Sequence, residues 1–324
     1  MIWQQTLSRG HQGTAKALLQ SCPMHAKLSP STIFLLTLPP ILWAGNAVVG
    51  RLVAPLISPM TLNLLRWAIA FALLLSLAAP VLRRGSALWP SWKRFAGLSL
   101  LSIGGYNALL YLSLNTSTPI NVTLVGSITP VWMLLIGRVF FGMHISGKQW
   151  LGAALSISGV LLVLSRGQLE VLLQVRLVSG DLYILLASAA WAYYSWMLAH
   201  PTTEPPGIKR DWAAFLLAQI AFGLVWSGLF AGAEWSLGLG RLQWSWGLAS
   251  ALLFIAIGPA LLAYRAYGAG VARAGPSVAG FFVNLTPLFT AVLSSAFLGD
   301  MPHLYHVLAF VLIVGGIGVS SSRR

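Results

Sequence analysis

The chain has 324 residues, 57% hydrophobic and only 8% charged, with a mean hydropathy of +0.79. Soluble proteins carry about 25% charged residues, so this chain cannot cover a water-facing surface, and its surroundings are mostly lipid. A single cysteine, Cys22, excludes a disulfide framework and a cysteine-based zinc site, and the net charge of +14 lies in short loops rather than in a basic stripe of the kind that binds nucleic acid.

Residues 1–30 read as a cytoplasmic tail. They hold no apolar run long enough for a signal peptide. Leu19-Gln20-Ser21-Cys22 resembles a lipoprotein box, but the segment before it, with Lys16, is too polar. Met24 is an alternative start. Apolar stretches of about 20 residues, enough to cross a hydrocarbon core as helices, follow at 32–54, 59–82, 92–114, 119–141 and 146–165. After a linker at 167–178 come 179–199, 211–233, 244–268, 275–298 and 301–320. Ser58-Pro59, Thr118-Pro119, Gly275-Pro276 and Met301-Pro302 place proline in a first turn, where the missing N–H costs nothing. The short alternating strands of a membrane barrel are absent from the pattern. The expected fold is an all-α integral membrane protein of about ten transmembrane helices.

Loop charge sets the orientation. With the N-terminus inside, the cytoplasmic loops and ends hold 13 basic residues, among them Arg83, Arg84, Lys93, Arg94, Lys209 and Arg210. The opposite side holds 4: Arg51, Arg166, Arg176 and Arg241. That bias predicts both termini in the cytoplasm and an even number of helices.

Residues 118–166 and 275–323 align without gaps at an offset of 157. Pro119 matches Pro276, Thr129-Pro130 matches Thr286-Pro287, Gly142 matches Gly299, and Gly159 matches Gly316. Residues 31–166 and 179–322 are therefore two repeats of five helices, and an odd number turns the second upside down in the bilayer. Inverted repeats around a shared midplane site are a common plan of secondary transporters.

Pro130 follows Pro119 by eleven positions, about 16 Å along a helix, and Pro287 sits equivalently after Pro276. A proline inside a helix releases the carbonyl four residues earlier, here Gly126 and Val283. Such carbonyls need protein partners or a water-filled cavity. Thr123, Ser127, Thr129, Asn284 and Thr286 flank them, either repairing the kinks or lining a cavity. Trp43, Asn46, Tyr106, Asn107, Tyr111, Trp191, Tyr194, Tyr264 and Tyr267 lie at similar depth. Tryptophan normally gathers at the headgroups, so Trp43 and Trp191 either fill the core or stack on a solute. Arg66 is a cation within an apolar stretch, a position that is functional by default; it suits a substrate carboxylate or the capping of freed carbonyls. Arg138 and Arg265, nearer the helix ends, are expected to snorkel. The six carboxylates all fall near helix ends, leaving no midplane acid for a proton or sodium relay, so coupling to protons is expected to be weak. His303 and His306 share a face without an acidic partner, and no metal site is expected. Gly152, four residues before Ser156, and Gly315, Gly316 and Gly318 allow close helix approach, bracing the bundle or a homodimer.

The repeat, the Trp43-Ala-Gly-Asn46 run, Leu65-Arg66-Trp67 and the paired Thr-Pro turns resemble the EamA-type proteins of the drug/metabolite transporter superfamily over residues 31–322. The resemblance implies that the first four helices of each half surround a central cavity while the fifth lies at the side. It implies export of amino acids, metabolites or drugs, and it places Trp43, Asn46, Arg66, Tyr106, Ser127, Trp191, Tyr264 and Asn284 on cavity-facing helices, with Pro130 and Pro287 at the helix kinks. The acidic residue often found after the glycine that closes the fourth helix is present as Asp300 but replaced by Met143 in the first half. The function expected is cofactor-free secondary transport of a small organic solute across a bacterial-type inner membrane, outward, by alternating access. Arg66 and the rings suggest an amino acid or another zwitterion or anion as the cargo. The alternatives are a lipid-linked-sugar or lipid flippase of similar architecture and a multi-spanning membrane enzyme, for which the scattered acids supply no cluster.

Overall fold

A computed structural model describes residues 28–117, 119–174, 176, 178–200, 206–298 and 303–322. The tail through Lys27, Thr118, Glu204, Gly299, Asp300, Met301, Pro302 and Arg323 lie outside them. Ten long helical rods run in sequence. They are α1 (Pro30–Val53), α2 (Pro59–Ala78), α3 (Trp92–Ser99, Leu100–Gly104 and Gly105–Thr116), α4 (Pro119–Gly126 and Thr129–Phe141) and α5 (Gly147–Leu164). Then come α6 (Ser179–Ala199), α7 (Trp212–Ser236), α8 (Trp246–Ile255, Ala256–Leu262 and Ala263–Ala274), α9 (Pro276–Val283 and Leu285–Leu298) and α10 (Leu304–Ser321). Among the described residues, nine helices are long and apolar enough to cross a membrane. With α3 the rods number ten.

Local chemistry starts and stops these rods. The Ser29 hydroxyl accepts the Thr32 N–H at 3.3 Å ahead of Pro30. Ser146 and Gln149 form a reciprocal capping box for α5, and Asp211 accepts the N–H groups of Ala213 and Ala214 at the start of α7. Gly142 ends α4 with φ +67°, a left-handed residue that costs glycine nothing. At the start of α10 the His306 Nδ1 accepts the His303 N–H at 3.0 Å, so this pair serves the helix end.

The two halves pack as an inverted pair. α1 lies against α8 and α9 as α6 lies against α3 and α4, while α2 meets α7, α4 meets α9, and α5 runs along α10. Exchanging the halves turns the α1–α8 and α1–α9 contacts into α6–α3 and α6–α4, while α2–α7, α4–α9 and α5–α10 each join a helix to its own counterpart. The protein is an all-α membrane protein of about ten transmembrane helices in two inverted five-helix repeats. The α5–α10 crossing is close: a Cβ on Gly152 would sit 2.6 Å from the Gly316 carbonyl oxygen, and one on Gly159 2.8 Å from that of Ala309. The small-residue faces of α5 and α10 thus brace the bundle from within the chain.

α3 and α8 share a feature absent from the sequence reading. Each contains a π-helical segment, Leu100–Gly104 and Ala256–Leu262. Each lies in the middle of the third helix of its half, so the widened turns are counterparts. A π-turn disturbs the regular ladder and often marks a functional site. Here it lies beside the centre of the bundle.

Candidate functional site

Rings from five helices meet near the middle of their rods. Trp43 of α1 lies 5.3 Å from Trp191 of α6, 6.4 Å from Tyr264 and 5.6 Å from Tyr267 of α8, centroid to centroid. Trp191 lies 5.4 Å from Tyr106 of α3, and Trp67 of α2 lies 5.0 Å from Tyr264. Several of these pairs are edge-to-face, the arrangement that the ring quadrupole favours. The cluster is built from both halves, and the π-turns hold it. The Trp43 indole N–H donates to the Pro259 carbonyl at 3.3 Å, and the Tyr264 hydroxyl donates to the Ser102 carbonyl at 3.4 Å. Each π-turn therefore offers a carbonyl to a ring from the opposite half.

A polar layer lies against the rings. Arg66 Nε donates to Asn63 Oδ1 at 3.0 Å, and an Nη donates to Asn107 Oδ1 at 2.7 Å. The amide nitrogens of the two asparagines are spent in turn: Asn107 donates to the carbonyls of Ile103 and Ser102, and Asn63 to the Ile103 carbonyl and the Ser227 hydroxyl. Gln219 of α7 donates to the Ser102 hydroxyl at 2.8 Å. Arg66 is 6% exposed and sits over the Trp67 ring at 5.4 Å. It has amide dipoles in place of a counterion. An uncompensated cation inside a membrane helix is costly, and two amide bonds reduce that cost without neutralising the charge.

Of the residues singled out from sequence, the fold gathers Trp43, Arg66, Tyr106, Trp191 and Tyr264 into this one region. Asn46, three residues beyond Trp43, is half-buried and makes no side-chain hydrogen bond among the described residues. Ser127 and Asn284 are placed elsewhere. They occupy equivalent positions, and Asn284 Nδ2 donates to the Ser127 carbonyl at 3.1 Å and to the Ser156 hydroxyl of α5 at 3.0 Å. α4 and α9 break beside Pro130 and Pro287, and the breaks lie against each other. Thr129 Oγ1 closes the Gly126 carbonyl at 2.7 Å, while its counterpart Thr286 Oγ1 is buried without a partner. Thr129 thus supplies a donor at the first turn, and Asn284 of the second donates back to the first, where the sequence reading looked for a hydrated pocket. Arg265 lies over the Trp212 ring at 4.2 Å, which holds its charge at the end of the bundle where α7 begins.

Asn63, Ser102 and Gln219 escaped the sequence reading, and Trp67 entered it only as part of the Leu65-Arg66-Trp67 motif. The available signal was spacing: Asn63 and Arg66 are three apart and share a helix face, and Gln219 is a lone amide inside the apolar α7. Two carboxylates stitch the halves together at the opposite end of the bundle. Glu234 of α7 accepts the Ser58 hydroxyl at 2.6 Å, the Thr61 hydroxyl at 2.8 Å, and the N–H groups of Met60 and Thr61 at the start of α2. Asp181 of α6 accepts the Val178 N–H at 2.8 Å, the Asn121 amide at 3.2 Å and the Ser117 hydroxyl.

An inverted-repeat bundle with an uncompensated cation and an aromatic cluster between its halves is the architecture of a polytopic membrane transporter. The chain matches the EamA-like transporter family over residues 30–165 and 178–322, and it belongs to that family. It is 27% identical to the uncharacterized transporter YyaM of Bacillus subtilis over 224 residues, covering 69% of this chain and 71% of that protein. An uncharacterized transporter of Archaeoglobus fulgidus is 24% identical over 300 residues, 92% of this chain and 99% of that one. The uncharacterized inner membrane transporter YedA of Escherichia coli K12 is 24% identical over 284 residues, 85% of each chain. One solved crystal structure has the same fold, with a TM-score of 0.68 at 21% identity over 90% of this chain and 96% of that one. The family and the relatives' names make this protein a membrane transporter rather than an enzyme.

Proposed function

We propose that the protein is a secondary transporter that exports a small organic solute, held at the aromatic cluster and Arg66 while one half rocks against the other. The observation that carries this reading is the placement of the site. Arg66, Trp67 and Trp43 come from one half, Trp191 and Tyr264 from the other, and the two π-turns face the same rings. Rocking would separate these contacts and present the site to alternate sides of the membrane. Loop charge supports cytoplasmic termini, and the inner membrane named for YedA suits such a chain.

The test is a counterflow screen in proteoliposomes, with amino acids, organic acids and drug-like amines as the panel. Exchange of a member above that of protein-free liposomes, abolished by Trp191→Ala in monodisperse protein, is expected. A panel-wide absence of exchange by folded protein overturns the reading.

A lipid or lipid-linked cargo is the second reading, and one observation favours it. Two adjoining apolar grooves of about 450 and 460 Å³ run along the α1–α8 seam, sharing Ser250 and Phe254. Leu42 and Gly258, beside Trp43 and Pro259, line the second of them. An amphipathic molecule entering from the bilayer would meet the ring cluster there. Scrambling of a fluorescent lipid by the reconstituted protein, without solute counterflow, would decide for it.

A further inference from the structure

Hydrogen-bonding capacity around the ring cluster is out of balance, and the imbalance has a sign. Arg66 spends Nε and one Nη on amide oxygens and leaves its other Nη uncommitted. The indole N–H of Trp67, fully buried, has no acceptor, and that of Trp191, 5% exposed, faces the Tyr267 hydroxyl without a well-formed bond. These three donors belong to side chains linked through the contacts of Arg66 with Trp67, Trp67 with Tyr264, and Tyr264 with Trp191. A buried donor without an acceptor is unfavourable, and native proteins keep such groups where a ligand completes them. On the acceptor side, Gln219 Oε1 is left over, and it faces the Tyr194 hydroxyl. Asp181 and Glu234, the buried carboxylates, are fully engaged by donors at helix ends.

We infer that the cargo is an organic anion, a carboxylate on a flat apolar body, and that it carries no ammonium group. This rests on the reading of the ring cluster as the cargo site. The carboxylate supplies the acceptors that the Arg66 and Trp67 N–H groups lack, and its charge offsets the guanidinium in a low-dielectric setting. Rings line the rest of the site and suit a planar apolar body. An ammonium would sit near Arg66 with no acid to receive it.

Three probes that differ in charge and share a phenyl ring test this: 3-phenylpropionate, phenylalanine (the same acid bearing an α-ammonium) and 3-phenylpropylamine. Full-length protein in lipid nanodiscs is titrated calorimetrically with each, against empty nanodiscs. The acid is expected to bind at least tenfold more tightly than phenylalanine, and the amine not to compete. Arg66→Gln should erase the preference. Trp67→Phe, which keeps the ring and removes the N–H, should weaken the acid several-fold and decides the matter should the arginine variant fail to fold. Phenylalanine binding as tightly as the acid, a preference that survives both variants, or no binding by any probe overturns the inference. A protein that performs counterflow yet prefers phenylalanine loses the anion assignment and keeps the transport reading; one that moves no solute loses the latter.

Discussion

Replacing Arg66 by methionine, a flexible apolar side chain of similar reach, separates a cargo-binding role from a structural one. The substitution removes the donors to Asn63 Oδ1 and Asn107 Oδ1. Each buried acceptor left unpaired costs about 1–3 kcal/mol. The asparagines keep their own donations to Ile103, Ser102 and Ser227, so they remain anchored. Against this loss, taking a cation out of the middle of a membrane helix relieves roughly 2.5–3.5 kcal/mol on the insertion scale. The two contributions nearly cancel. Thermal stability in detergent, followed by tryptophan fluorescence, should therefore stay close to the parent, while counterflow in proteoliposomes falls at least tenfold. An arginine kept for structure would behave in the opposite way. Aggregated or strongly destabilised Arg66→Met protein would refute the energetic reasoning, and full counterflow by a stable variant would remove Arg66 from the site.

The Glu234 carboxylate accepts four donors from Ser58, Met60 and Thr61, so Glu234→Gln turns an amide N–H₂ towards at least one of them. Loss of a charged hydrogen bond of about 1.5–3 kcal/mol is expected, read as a lower unfolding temperature; an unchanged temperature would show that Glu234 does not hold α2 to α7. At the α5–α10 crossing, Gly152→Ala brings a Cβ to 2.6 Å from the Gly316 oxygen and 2.7 Å from Ser320 Cβ. The overpacking should cost about 1–3 kcal/mol. Gly315→Ala, where nothing lies within 4 Å, should be neutral or slightly stabilising through helix propensity; equal effects from the two substitutions would contradict the crossing.

Sequence reasoning reached the membrane class, the ten rods and the inverted duplication. Each rests on one-dimensional signals: hydropathy runs, first-turn prolines, and Pro130 and Pro287 repeated at an offset of 157. It also singled out five of the residues that the fold gathers into one cluster, because large rings and a cation in mid-span are anomalous wherever they fold. It placed Ser127 and Asn284 with them on the strength of the proline breaks. Those breaks instead meet and close each other, since their equivalent positions lie on the pseudo-twofold contact between α4 and α9. The π-turns around Ser102 and Pro259 left no periodic mark, because a single widened turn does not change which residues are apolar. Gly152 and Gly316 announced a close approach without announcing the partner, which proved to be α10 of the same chain for α5.

What the sequence alone determined is solvent, span and symmetry, because lipid solvation and backbone hydrogen bonding act on each helix separately. Which polar groups face one another was decided only by tertiary packing. Arg66 received Asn63 from its own helix but Asn107 from α3, and Trp43 received the Pro259 carbonyl from the other half. Such pairings depend on the rotation and depth of two helices at once, and no local pattern in either one encodes them.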